Sequence, residues 1–150
     1  MIAPLLPENP NRIERAAAAV VRGVVAVPGL RRTLLLPALA RPGYWLASAC
    51  AFLWGALLVG RFRRSHGLLV IHDLPRWAFG RGGTTIGAVF LTADATSDAV
   101  LSHEAVHKQQ WRRYGLSLPV LYLAAGSVAR TNRFEVEAGL AQGGYVSGRS

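Results

Sequence analysis

Residues 102–110 read Ser-His-Glu-Ala-Val-His-Lys-Gln-Gln, and the constraint they impose is geometric. Each residue of a helix turns by about 100°, so His103 and His107 stand one turn apart on one face with Glu104 beside them. Counted from His103, the side chains of Ala99, Val100, Val106, His107, Gln110 and Tyr114 all fall within about 60°. The imidazoles therefore lie on the half-buried face. Two imidazoles at this spacing, with a carboxylate next to the first, can bind a zinc ion. The zinc would polarise a peptide carbonyl and acidify its bound water, and Glu104 would take the water's proton and pass it to the leaving amine. The plainer alternative is two ordinary helix histidines satisfied by hydrogen bonds beside a surface glutamate. The chain holds only 4 histidines, and two of them fall at this spacing around a glutamate, which favours the metal.

Such a site needs a third protein donor. Cys50 is the only cysteine and lies in an apolar run, which leaves the acidic residues after the motif, Glu135 and Glu137, in Thr-Asn-Arg-Phe-Glu-Val-Glu-Ala from 131 to 138. Residues two apart on a helix diverge by about 200°, so only one of the pair can face the metal. Asn132 and Glu135 also have the spacing of a capping box, with Asn as cap and Glu three residues on. If Glu135 caps, Glu137 is the donor; from the residues alone both stay open.

H-E-x-x-H followed one helix later by an E-x-x-A-D-like segment resembles the glutamate-zincin metallopeptidases, most closely the membrane-associated prenyl-protein and heat-shock endopeptidases. The segments 103–110, 111–115 and 132–138 are also similar to a group of small bacterial proteins with a zincin-like core. The resemblance covers roughly residues 84–140. It implies that Glu135 is the third ligand, because Glu135 and Ala138 match the second motif. The aspartate of that motif is replaced by Gly139, which removes a supporting carboxylate.

A chain of 150 residues is long enough for one domain with a real core. Residues 1–150 are expected to form that single domain, with a helical region over 1–64, membrane-associated if residues 42–60 attach to a bilayer, and the zincin-like core over 65–141. Lys and Arg number 17 against 8 acidic residues, a net charge of +9 that suits an anionic surface. The arginines scatter across apolar segments and do not gather in one recognition element, so no specific nucleic-acid partner is expected. A single cysteine excludes an internal disulfide.

Taken in order, residues 1–11 carry Pro4, Pro7 and Pro10 and read as an irregular arm, without the basic start and apolar run of a signal peptide. Residues 12–27 read as an amphipathic helix capped by Asn11 and Glu14, ending at Pro28-Gly29, with a short helix over 30–40 after it. Residues 42–60 are 19 uncharged positions between Arg41 and the Arg61, Arg63, Arg64 cluster. About 20 apolar residues can span a bilayer, so a transmembrane helix is one expectation, with interfacial attachment or a core helix as alternatives. A span would make the protein membrane-associated, at an inner membrane with a cytoplasmic active site.

Residues 67–72 read as a strand, Trp77 to Phe79 as a possible second one, and Thr84 to Thr92 as the strongest strand of the chain. Between them, Gly80-Arg81-Gly82-Gly83 marks a turn and lacks the lysine and hydroxyl of a phosphate loop. In the resembled zincins a strand placed at 84–92 lies along the cleft and can pair with an extended substrate; an ordinary sheet strand is the alternative. Ser97 and Asp98 start the motif helix and Gly115 stops it. The apolar stretch 116–130, with Pro119 in its first turn, is expected to pack over that helix and deliver 132–138 to the metal. The tail from Gln142 is expected to fray. His66 and His72 are candidate extra ligands, Tyr114 and Tyr122 candidate oxyanion donors, and Asn132 a candidate hydrogen-bonding support. Satisfied histidines and packing aromatics are the plain alternatives.

The expectation is thus an α+β zincin-like core with an H-E-x-x-H helix, a small β-sheet and N-terminal apolar helices. Its activity would be zinc-dependent peptide-bond hydrolysis of a peptide or protein substrate, with Zn2+ on His103, His107 and Glu135 and Glu104 as general base. The alternative is a non-catalytic membrane-associated structural protein that retains the fold.

Overall fold

The computed structural model describes residues 10–79 and 82–145. Most of the proline-containing arm, part of the glycine turn and the end of the tail lie outside the described residues. In order the elements are α1 (Arg12–Ala26), α2 (Leu30–Leu34), α3 (Pro37–Leu57), β1 (Arg61–Ser65), β2 (Leu68–His72), β3 (Gly83–Ile86), β4 (Val89–Thr92), α4 (Asp98–Tyr114), α5 (Leu118–Ala124) and α6 (Arg133–Ala138). The fold is α+β.

The four strands are ordered β1-β2-β4-β3, with β2 and β4 parallel and the outer pairs antiparallel. Because alternate side chains of a strand point to opposite faces, the sheet has two apolar sides. Ile71, Val89 and Leu91 pack on Ala51 of α3, whereas Leu68, Val70 and Phe90 pack on Leu101 of α4. The sheet is thereby held between α3 and α4, and β3 lies at its edge beside α4. The N-terminal helix begins with the expected box, Asn11 accepting from the Glu14 amide and Glu14 from the Asn11 amide. Its Ala17 and Ala18 pack on Ala124 of α5.

Two strand expectations change, and one further strand was not expected. The stretch 84–92 is two strands, because Gly87 takes a positive φ of 63° and the Ser48 hydroxyl accepts from the Ala88 amide at 2.8 Å, fixing a turn there. Alternation and β-branched content look the same for one long strand and for a tight hairpin. Trp77 to Phe79 is a turn, with the Ala78 amide bonded to the Pro75 carbonyl. The arginine cluster after the apolar run is strand β1, whose charged, exposed side chains suit a sheet edge.

The membrane expectation is corrected. Among the described residues no helix is long and apolar enough to cross a membrane. The run 42–60 is divided: α3 begins at Pro37, takes Arg41 and Pro42 into its early turns and ends at Leu57, short of Gly60. Its buried stripe is Ala40, Gly43, Tyr44, Ala47, Ser48, Ala51 and Gly55, mostly small residues that let the helix lie against the sheet and against the turn at Gly115 and Leu116 between α4 and α5. The transmembrane helix, the membrane association and the inner-membrane location inferred from it are withdrawn with that span.

Candidate metal centre

Helix α4 opens at Ser97, whose hydroxyl accepts from the Val100 amide, and stops at Gly115, where φ is +53°. The spacing expected from the sequence is realised. His103 is buried and the His107 side chain keeps 12% of its exposure. Helix α6 opens at Asn132, whose side-chain oxygen accepts from the Phe134 amide. The Asn132 amide nitrogen donates to the carbonyls of Tyr122 and Gly126, which ties down the loop between α5 and α6. Asn132 therefore caps without Glu135, and the carboxylate is left for the helix's inner face.

Glu135 meets the two imidazoles there. Its Oε2 lies 3.2 Å from His103 Nε2 and its Oε1 lies 3.4 Å from His107 Nε2, with the two Nε2 atoms 3.0 Å apart. Glu137 points away, is exposed and accepts from Gln110. His66 pairs with Ser65 and Asp98, His72 with Asp73, and Tyr114 packs edge-on against Phe134, so none of the three belongs to the cluster.

The outer ring nitrogens explain why the inner ones converge. His103 Nδ1 lies 2.9 Å from the Gly139 carbonyl and His107 Nδ1 2.8 Å from Gln110 Oε1, while the Gln110 amide nitrogen donates to the Phe134 carbonyl. Facing acceptors, both Nδ1 atoms carry the proton, and each Nε2 presents a lone pair. Three acceptor groups then point at one spot, and Glu135 Oε2 is buried with no hydrogen-bond donor among the described residues. Only a cation satisfies all of them, and two imidazoles with a carboxylate suit zinc. With a proton in that role, His107 is drawn above its ordinary range. Burial opposes this, but the bonds to Glu135 and Gln110 and the charge of Glu104 outweigh it. Burial likewise pushes the Glu135 carboxyl up, and with protons on the inner ring nitrogens the bonds from His103 and His107, together with that from Tyr122, hold it well below the usual carboxylate range.

Glu104 sits beside the cluster with Oε2 accepting from the Thr85 hydroxyl at 2.8 Å. Burial raises its carboxyl above the ordinary value, against the pull of His107 and Thr85. A buried carboxylate beside two imidazoles is suited to exchange a proton with a neighbouring group. Glu104, His107 and Glu135 open on a cavity of about 460 Å3, bounded by β3 on one side and by Tyr122 and Tyr145 on the other. The Tyr122 hydroxyl donates to Glu135 Oε1. Burial, then the nearby Glu135 charge, pushes Tyr145 up to about 12, so it is a neutral hydroxyl at working pH.

Thr85, Gln110, the Gly139 carbonyl and Tyr145 are site residues that the sequence reading did not assign. Gln110 had a signal, since it lies on the histidine face three residues after His107. Tyr145 had none: it belongs to the segment expected to fray, yet residues 139–145 turn back so that its ring centroid lies 6.0 Å from that of His103.

No protein-family model matches this chain, and neither a curated protein nor a solved structure matches it. The site stands on its own geometry. His103, Glu104 and His107 on one helix, with Glu135 from another, point to a zincin-like H-E-x-x-H metal site.

Proposed function

We propose that this chain is a zinc-dependent hydrolase of peptide bonds, with the metal on His103, His107 and Glu135. The observation that carries the proposal is the convergence of these three groups, all ligand atoms within 4.8 Å of one another, at a cavity that also holds Glu104. Zinc held there supplies Lewis acidity, lowering the pKa of a bound water and polarising a carbonyl. The chain's own residues do the rest. Gly139 and Gln110 fix the imidazole tautomers, Thr85 holds one oxygen of Glu104, and Glu104 takes the water's proton and delivers it to the leaving amine. The Tyr122 hydroxyl holds Glu135, and the neutral Tyr145 hydroxyl lines the cavity, where it is placed to donate to a developing oxyanion.

Strand β3, at the sheet edge along the cavity, supports an extended polypeptide as substrate, docked by strand addition. A non-catalytic role with a purely structural metal is less well supported. Structural zinc sites close with four protein ligands, whereas among the described residues this group has three and opens on a cavity.

The test is metal content with peptidase activity. Wild-type protein should bind about one zinc and cleave an unstructured polypeptide. Glu104→Gln should keep the zinc and lose about 100-fold or more in kcat, and His103→Ala should lose the zinc. Cleavage undiminished in Glu104→Gln would remove Glu104 from the mechanism.

A further inference from the structure

Two walls of the metal cavity, Ile86 and Trp111, are also walls of a second cavity of about 510 Å3 on the α3 side of the sheet. Its lining continues through Leu46, Cys50, Trp54 and Leu116 and, among the described residues, includes no charged side chain. Trp111 stands between the two spaces, and its position is fixed: it is buried, and its indole Nε1 donates to the Thr85 carbonyl at 2.8 Å. Leu46, Trp54 and Leu116 are 56%, 47% and 55% exposed, so the groove is apolar surface left facing water beside the metal cavity.

The pleat of β3 connects the two spaces. Thr85 turns its hydroxyl to Glu104 on the α4 side, and Ile86, opposite Val89, faces the α3 side. A polypeptide added alongside β3 alternates in the same way. Side chains level with Thr85 enter the metal cavity, and those level with Ile86 enter the groove. The Thr85 carbonyl is already bonded to Trp111, so edge pairing stops there, and the next side chain of the added strand, on the Ile86 side, lies beside the indole at the groove. Resting on the hydrolase reading above, we propose that this groove is the specificity subsite, which takes a large aliphatic or aromatic side chain of the polypeptide substrate. A cavity of this size and lining gains by burying such a side chain and disfavours a charged or small polar one.

Cys50 makes the proposal directly testable, since it is the only cysteine, is exposed and lies in the groove wall. The protein to use is zinc-loaded Glu104→Gln, which binds peptide without consuming it. The probes are two synthetic ten-residue peptides, one with leucine and phenylalanine at alternate positions and one with serine in their place. The apolar peptide at saturation should slow alkylation of Cys50 by N-ethylmaleimide by about tenfold or more, the discrimination an apolar pocket provides, while the serine peptide leaves the rate unchanged. In otherwise wild-type protein, Cys50→Arg should raise KM for the apolar peptide by a similar factor and not KM for the serine peptide.

Equal protection by both peptides, or by neither, overturns the subsite. So does protection without peptide that rises with protein concentration, which assigns the groove to a second copy of the chain. Selective protection with no cleavage by wild-type protein upholds the groove and overturns the hydrolase reading instead.

Discussion

Gly139 acts on the cluster through its backbone. Its carbonyl lies 2.9 Å from His103 Nδ1, and its φ of +98° is a conformation open mainly to glycine. An added Cβ would also lie 2.5 Å from the Gln142 side chain. Gly139→Ala should therefore shift the carbonyl and weaken zinc binding by about 10–100-fold, the usual effect of losing a group that orients a ligand, as read by competition with a chromophoric chelator. Thr85 offers a second test. Its hydroxyl bond lowers the Glu104 pKa, so Thr85→Val should raise that pKa and move the acid limb of the kcat/KM profile to higher pH. An unmoved limb would separate Thr85 from the ionisation of Glu104.

At the scale of elements, α6 depends on Asn132. This fully buried residue caps the helix and donates to two carbonyls of the preceding segment, so it sets where Glu135 arrives. Asn132→Ala removes a cap and strands buried carbonyls, and should cost about 2–4 kcal/mol in urea unfolding along with zinc affinity. The limits of α1 and α4 were legible because Asn11, Glu14, Ser97 and Gly115 act within one turn of themselves. The sheet was less so: Gly87 splits a continuous β-like run only because Ser48, 40 residues away, holds the turn amide. In α3 the outward face carries Leu46, Leu53 and Trp54, and the inward face is alanine, glycine and serine around Tyr44. A hydropathy average merges the two.

Across the whole molecule, the N-terminal helix and the metal-bearing segments are joined through Glu14. It is buried within the α1 cap, and its Oε1 accepts from the Ser127 amide in the loop leading to α6. Hydrogen bonds from Ser127 and from the Asn11 amide hold its carboxyl below the ordinary range. A depressed carboxyl stabilises the fold above its unfolded-state pKa and loses that contribution as pH falls through the folded-state value. Glu14→Gln should thus lower Tm at neutral pH, with the difference from wild type narrowing on acidification. Zinc should act on the same unit from the other side. At free zinc 100 times its Kd the gain is about 2.7 kcal/mol, seen as a rise in Tm that a chelator reverses and that Glu135→Ala abolishes.

The sequence by itself determined the H-E-x-x-H helix, its cap and stop, the α1 capping box and the two glutamates from which a third donor could come. These are consequences of helical spacing and of hydrogen bonds between residues a few positions apart. Tertiary structure alone decided that Glu135 and not Glu137 turns to the imidazoles, that the 42–60 run packs against a sheet, that a glycine carbonyl orients His103, and that the tail returns with Tyr145. Each of these depends on which surface meets which across distant parts of the chain, and the identity of a residue does not state what will be packed against it.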